Sequence, residues 1–449
     1  VWERDGTPPA PSILDTSEDG LALEFTRRYR DELAYVHEWG KWLRWDGARW
    51  APERTLAVYD LARTVTRDAA APLGEREASR VLSASTVAAV VTLARTDRAH
   101  ARVSEDFDAD PWTLNTPAGT IDLRTCEMRP HRRADYLSKV APIAPADAPS
   151  TLWLECLDTW SGGDAELVAF LQRLAGYFLT GSTREEVLPI IHGPGGNGKS
   201  QFVAAIRGCM GTDYAGGVAM ETLIVTHGEQ HPTDVADLRG KRLAVAVETE
   251  EGRRLAEAKV KQLTGGDRLR ARYMRRDFFE FEPTHKLLVM GNHRPGLRNV
   301  DEAMRRRLLL IPFAATIPPG RRDRDLSGRL AAERPGILRW MLDGCLEWQR
   351  DGLQPPARVQ AATDDYFAAA DVLGRWAEDR LVFARSARAP KDAVYAAWKS
   401  WAEANGEDVA TQAAVYEYLI ARPDVDEARV RIEGKQQRCW VGVGLRSEA

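Results

Sequence analysis

The stretch Gly193-Pro-Gly-Gly-Asn-Gly-Lys199-Ser200 limits what this chain can fold into more than any other feature. It satisfies the pattern G-x-x-x-x-G-K-[ST]. A short apolar run, Val187 to Ile191, precedes it, and a helical pattern from Gln201 to Met210 follows. Strand, glycine loop and helix in that order make a cradle for phosphate. Gly193, Gly195, Gly196 and Gly198, with Asn197 between them, let backbone N–H groups turn inward, and the helix brings its positive end to the same point. In such a cradle Lys199 holds the β- and γ-phosphates and Ser200 ligates Mg²⁺. ATP and Mg²⁺ are therefore the expected cofactors. The loop by itself does not separate a kinase from a GTPase or a motor.

Two further strand ends carry polar groups. Leu243 to Val247 reads as a buried strand ending in Glu248, with Glu250 and Glu251 just beyond. A carboxylate at such a tip can share the Mg²⁺ shell or orient an attacking water. Glu248 is the expected catalytic acid and metal-shell residue, and Glu250 the second candidate. Lys286 to Met290 reads as another strand, followed by Gly291-Asn292-His293, which sets Asn292 beside the γ-phosphate. Strands alternate with helices from about 185 to 315, the signature of an α/β core.

Arginines concentrate in two places. Between Arg268 and Glu282, alternation predicts strands at 268–273 and 278–282 with a turn at Arg275, Arg276 and Asp277. Arg272, Arg275 and Arg276 are the expected nucleic-acid contacts, with Tyr273 or Phe278 supporting them or stacking on bases. Further on, Arg305-Arg306-Arg307 immediately precedes the apolar run Leu308 to Ile311. Buried strands start this way only when the charges have partners. One partner is the nucleotide of a neighbouring subunit, where an arginine supplied in trans accelerates phosphoryl transfer.

The flanks are less explicit. Residues 1–18 are rich in Pro, Asp and Ser and read as a linker or tail. Residues 19–180 read as mainly helical, with apolar spacing of three and four over Glu24–Trp42 and Leu56–Ala70 and a helix over 166–181. Trp39, Trp42, Trp45 and Trp50 around Asp46-Gly47 predict a small hairpin packed by its tryptophans. The core spans 181–320, and a helical segment covers 321–384. Residues 385–449 follow, with helices near 391–404 and 411–421 and strands at Ala428–Ile432 and Arg438–Val443, the order of a winged helix. The net charge of −4 excludes a chain that is basic throughout, but a local basic strip suffices for nucleic acid. Five scattered cysteines without a C-x-x-C pair give no zinc or disulfide framework and fit a reducing cytoplasm. No apolar run approaches the length of a membrane span.

In order along the chain, HGPGGNGKS, HPTDVADLRGKRLAVAVETEEG, KQLTGGDRLRARYMRRDFFEFEPTHKLLVMGNHRP and DEAMRRRLLLIPF resemble the superfamily 3 helicases. The similarity is greatest to the phage and plasmid primase-helicases, which are related to the poxvirus primase-helicase. PWTLNTPAGTIDLRTCEMRPH (111–131) resembles the domain ahead of the motor in that family, and ERPGILRWMLDGCLEW (333–348) the helical segment after it. The resemblance implies an AAA+-like core assembled as a ring, usually a hexamer, that moves 3′ to 5′ on single-stranded DNA and opens forked duplex inside a bacterial host. It implies that Gly198, Lys199 and Ser200 bind ATP and Mg²⁺, that Glu248 is the acidic residue and Asn292 the polar sensor. It further implies that Arg307, with Arg306 next, is the trans finger, and that Arg275 and Arg276 lie in the DNA-contacting loop. The acidic motif is Glu-Thr-Glu-Glu rather than two adjacent acids. The family's primase-polymerase domain has no room before residue 20, so priming is expected from an upstream segment or a separate primase. Two other readings of the residues stand beside the helicase: a translocase or origin-melting initiator without processive unwinding, and a small-metabolite kinase, which leaves both arginine clusters unexplained.

Overall fold

The computed structural model describes residues 15–226, 233–248, 253–297, 301–318, 320, 322–432 and 435–446. Its centre is a sheet of five parallel strands. In chain order these are Leu188–His192, Ala215–Gly217, Leu243–Val247, Lys286–Gly291 and Leu308–Pro312. In space they run fifth, first, fourth, third, second. Each of the four longer strands is a nearly continuous apolar run because helices and loops cover both faces of a parallel sheet. Registers align the carboxyl ends: His192 lies opposite both Gly291 and Pro312, and Val247 opposite Met290. The chain leaves the first strand toward one edge and returns beside it on both sides. The crevice outside these carboxyl ends is thus the topological switch point where ligands of open α/β sheets bind.

The face of the sheet that carries helix Lys199–Tyr214 is covered by a cluster that ignores the boundary expected at residue 180. Helices Thr151–Ser161, Ala165–Leu179 and Arg334–Asp351 share one apolar core with that sheet and with Leu114, Ile121 and Leu123. Two glycines let the longest pair of these helices touch backbone to backbone. A Cβ on Gly176 would collide with the Gly344–Cys345 peptide, and one on Gly344 with the carbonyl of Gln172. The carbonyls that end helix Ala165–Leu179 are capped by two buried cations from the starts of the third and fourth strands. Arg242 donates to Leu179 O and Thr113 O, both at 2.6 Å, and Lys286 donates to Thr180 O. A helix carboxyl end attracts positive charge, so these contacts fix the sheet against the helix.

The region before residue 180 is helical, as expected, but holds two small sheets as well. The helical reading of Glu24–Trp42 is corrected: the helix spans Glu18–Tyr29, capped by Ser17, and Leu33–Val36 then pairs with Lys41–Trp45. Leu33-Ala34-Tyr35-Val36 is apolar or aromatic throughout and buried at three of its four positions, which suits a strand covered on both faces and overrides the weaker helical spacing. Trp45 and Trp50 face each other across the Asp46–Gly47 turn, as the tryptophan spacing predicts. Residues 113–129 form a three-stranded antiparallel sheet. At the other end, Leu381–Pro390, helices Lys391–Ala404 and Gln412–Ile420, and the hairpin Asp426–Ile432/Lys435–Leu445 form a separate unit. Leu381–Pro390 and Asp426–Ile432 flank the last strand. Among the described residues no single helix is long and apolar enough to cross a membrane.

Candidate active site

The glycine loop leaves the first core strand at His192 and enters helix Lys199–Tyr214. Its backbone requires glycine at three places, Gly193 among them, where a Cβ would collide with the Phe313 carbonyl. Gly196 and Gly198 have φ of +77° and +88°, the left-handed region that side chains avoid. Gly198 is also pressed against the indole of Trp160, a residue that spacing alone gave no reason to single out. Neighbouring segments hold the loop's shape. Asn197, 2% exposed, donates to Phe313 O, and Ile317 N–H donates to Gly196 O at 3.0 Å. Gly195 faces open space, and Ser200 is exposed at the first turn of the helix.

Lys199 is the centre of the arrangement. It is 5% exposed, and its ammonium donates to Gly193 O at 2.6 Å, Pro194 O at 3.2 Å, Asn197 Oδ1 at 3.0 Å and Asn292 Oδ1 at 3.2 Å. Burial pulls its pKa below the usual lysine value. Asn292 comes from the end of the fourth strand, so the structure joins two residues that lie far apart in sequence. Glu248 ends the third strand; its N–H donates to Met290 O at 2.8 Å, and its side chain is buried against Gly291. Lys199, Asn292 and Glu248 thus converge at the carboxyl ends of three adjacent strands. Glu250 lies outside the described residues.

Two arginines near the loop were not legible in the sequence. The guanidinium of Arg322 lies against Gly196, with its Nε donating to Ile317 O at 2.9 Å. Arg294 is close enough to His192 to matter electrostatically. Burial first, then Arg294 and Lys199, push the His192 pKa down to about 4. No spacing rule links either arginine to the loop; the return of the chain past the sheet end does.

The triplet 305–307 lies at the opposite end of the sheet. Leu308 pairs with Leu188, four residues before His192, which is roughly 13 Å of strand. Arg307 is held within the chain: Nη2 meets Glu186 Oε2 at 2.7 Å, and Nη1 donates to Ala303 O at 3.1 Å. Arg305 lies over the ring of Phe367 at 4.9 Å. Arg306 is exposed.

The basic hairpin is present, with shorter strands than expected: Leu269–Ala271 pairs with Phe279–Phe281. Its tip carries Arg272, Arg275 and Arg276, all exposed. Arg275 has φ of +60°, which closes the turn. Arg270 and Arg272 lie over the exposed ring of Phe278 at 4.5 and 4.7 Å. Tyr273 instead stacks on Phe279 and donates its hydroxyl to Ala236 O at 3.2 Å, so it supports the hairpin base. One side of the hairpin borders a groove of about 1110 Å³ whose other wall includes Trp39, Phe107 and Asp108.

Set beside known proteins, the chain matches two family models in succession. "D5 N terminal like" covers residues 22–162, and a family of unknown function, DUF5906, covers residues 191–307. A putative helicase of Frog virus 3 is 27% identical over 257 residues, which is 53% of this chain and 26% of that protein. A putative helicase of Invertebrate iridescent virus 6 is 30% identical over 227 residues, 48% of this chain and 23% of that protein. The chain spans about a quarter of the length of these relatives. Among solved structures, the apo C-terminal region of NrS-1 superposes with a TM-score of 0.52 at 11% identity, covering 94% of this chain and 99% of that one, which shows a shared fold. In class, then, this is a mixed α/β protein with a helical amino-terminal region ahead of a parallel sheet. The two family matches and the viral relatives together fit a phage or viral primase-helicase.

Proposed function

We propose that this chain is the motor portion of an ATP-driven, ring-forming DNA helicase of superfamily 3 type, acting in phage, prophage or plasmid replication. One observation carries the reading: the buried ammonium of Lys199 meets both its own glycine loop and Asn292 from a neighbouring strand end, with Glu248 on the strand beyond. A phosphate chain fits there, since Gly195 borders open space and the Lys199 donors now engaged by loop carbonyls can turn to phosphate oxygens. ATP with Mg²⁺ would supply the transferable γ-phosphoryl group, with Ser200 and Glu248 placed for the metal shell. Lys199 binds the phosphates, Asn292 fixes Lys199 and faces the γ-phosphate position, and Glu248 orients water. Glu250 is kept as the second acid of the motif. Arg306, rather than the ion-paired Arg307, is the better candidate for completing a neighbour's site in the ring. Arg272, Arg275 and Arg276 on the hairpin grip DNA phosphates, and Phe278 lies among them for stacking.

The test is ATP-dependent strand separation on forked DNA, with the intact protein beside Lys199→Ala. Unwinding by the first and none by the second is the expected result. Hydrolysis without strand release would favour the second reading, a translocase or origin-melting initiator. The carboxy-terminal unit gives that reading some footing, because its helix–helix–hairpin order is that of a winged helix. No ATP hydrolysis under any condition would overturn both.

A further inference from the structure

The amino-terminal region holds a second basic site that the motor does not use. A pocket of about 400 Å³ is lined by Arg30, Arg102, Arg132 and Arg133, with Trp50 and Tyr136 as its aromatic wall. Those two rings stack at 5.8 Å with an interplanar angle of 11°. Arg102 lies over Tyr136 at 5.5 Å and donates Nε to its hydroxyl at 3.2 Å, while Arg133 donates to the backbone carbonyl of Asp31 at 2.8 Å. Among the described residues no carboxylate lies within ion-pair distance of any of the four guanidinium groups. Asp31 is the one acidic residue in the lining.

Four like charges around one concavity repel each other, and the low-dielectric wall concentrates their field. The arrangement becomes favourable when an anion enters. Guanidinium forks match phosphate oxygens in geometry as well as charge. The neighbouring groove by the hairpin is different in kind: its cations are interleaved with acids such as Glu38, Glu105, Asp108 and Asp277. The arginine pocket is therefore the more one-sided of the two in charge, with one acid in its lining where the groove has several. A volume of this size suits one nucleotide unit.

We propose that this pocket binds the phosphate of a nucleotide unit in single-stranded DNA, giving the chain a second strand contact apart from the hairpin. The proposal rests on the helicase reading only for the identity of the strand. Arg30 and Arg132 are the residues to change, because both are exposed and neither donates to a backbone carbonyl that shapes the pocket. Binding of fluorescent dT20 to the full chain is measured by anisotropy without ATP, over a range of salt. R30A/R132A should bind about tenfold more weakly at low salt, and the slope of log K against log salt should fall by about 0.7, the value for one lost phosphate contact on a single strand. R30K/R132K, which keeps the charge and loses the fork, should recover the salt slope and part of the affinity, which a fold defect would not allow. Equilibrium dialysis with dTMP in a Lys199→Ala background separates the sources of phosphate. Retention of dTMP that R30A/R132A abolishes would point to a free nucleotide at the same site. Weakened dT20 binding with no dTMP retention would point to the strand. Unchanged dT20 affinity and salt slope in R30A/R132A would overturn the proposal. Because the assay needs no ATP, wild type that binds dT20 through this pocket but never unwinds would sink the helicase reading and leave the pocket standing.

Discussion

At the scale of single residues, Arg306 and Arg307 separate two jobs that their adjacency hides. Arg307 ends helix Glu302–Arg307 just ahead of a buried strand and meets Glu186 there, with its side chain 15% exposed. Removing it leaves Glu186, which is exposed, without that partner, and a loss of up to about 1 kcal/mol of stability is expected. Arg306 has its charge in solvent and costs little to remove. If it completes a neighbour's site, Arg306→Ala should leave the melting temperature unchanged and lower kcat for ATP hydrolysis on the order of 10³-fold. Mixing Arg306→Ala with Lys199→Ala protein should then restore part of the activity, since each subunit carries what the other lacks. Absence of any recovery, with both proteins forming mixed rings, would remove Arg306 from that role. The resemblance placed Arg307 ahead of Arg306; the difference rests on Glu186, whose position beside the strand start is a tertiary fact that no spacing in the triplet contains.

At the scale of elements, the Gly176–Gly344 crossing is a contact with no room for a side chain on either helix. Neither helix can move away alone, because each also packs in the core shared with the sheet. Gly344→Ala inserts a methyl group where the Gln172 carbonyl already lies, and overpacking of this kind costs about 1–3 kcal/mol or more. A urea melt should show a lower midpoint with an unchanged slope; an unchanged midpoint would mean that the helices separate freely. Legibility follows the same division between local and distant contacts. Four of the five core strands, the loop and the hairpin could be read because each has its own period or turn chemistry within a few residues; the edge strand Ala215–Gly217 has three residues, two of them glycine, and carries no such pattern. The helical segments around 166–181 and 333–348 could be read as helices, but not as partners, since a glycine inside a helix looks like a mere weakness until its neighbour is known. Leu33–Val36 was misread because four residues are too few for spacing to separate strand from helix. No spacing assigns Arg242 or Lys286 a role, and their place as caps on a helix carboxyl end appears only in three dimensions.

At the scale of the whole molecule, burial of histidine ties stability to pH. His192 ends the first core strand beside the glycine loop, and His285 precedes the fourth strand at its other end. Both are buried, and the pKa of each is pushed down to about 4, by burial first and then by neighbouring cations: Arg294 and Lys199 for His192, Lys286 for His285. In the unfolded chain both return to about 6.5. Above that pH neither state binds a proton, so the two histidines give stability no pH dependence. As pH falls below about 6.5 the unfolded chain takes up two protons that the folded chain refuses, and stability declines until about pH 4. The full loss is on the order of 3 kcal/mol per histidine. Because both histidines belong to strands of one sheet, the loss should appear as a single cooperative transition that moves to lower temperature, not as release of one end. The measurement is a thermal melt at intervals from pH 8 to pH 4 with His285→Gln alongside. The wild-type midpoint should hold level to about pH 6.5 and then fall, and the variant should fall about half as steeply whatever its midpoint at pH 8. Equal slopes would mean that His285 is protonated in the folded chain and that the sheet end beside Lys286 admits water.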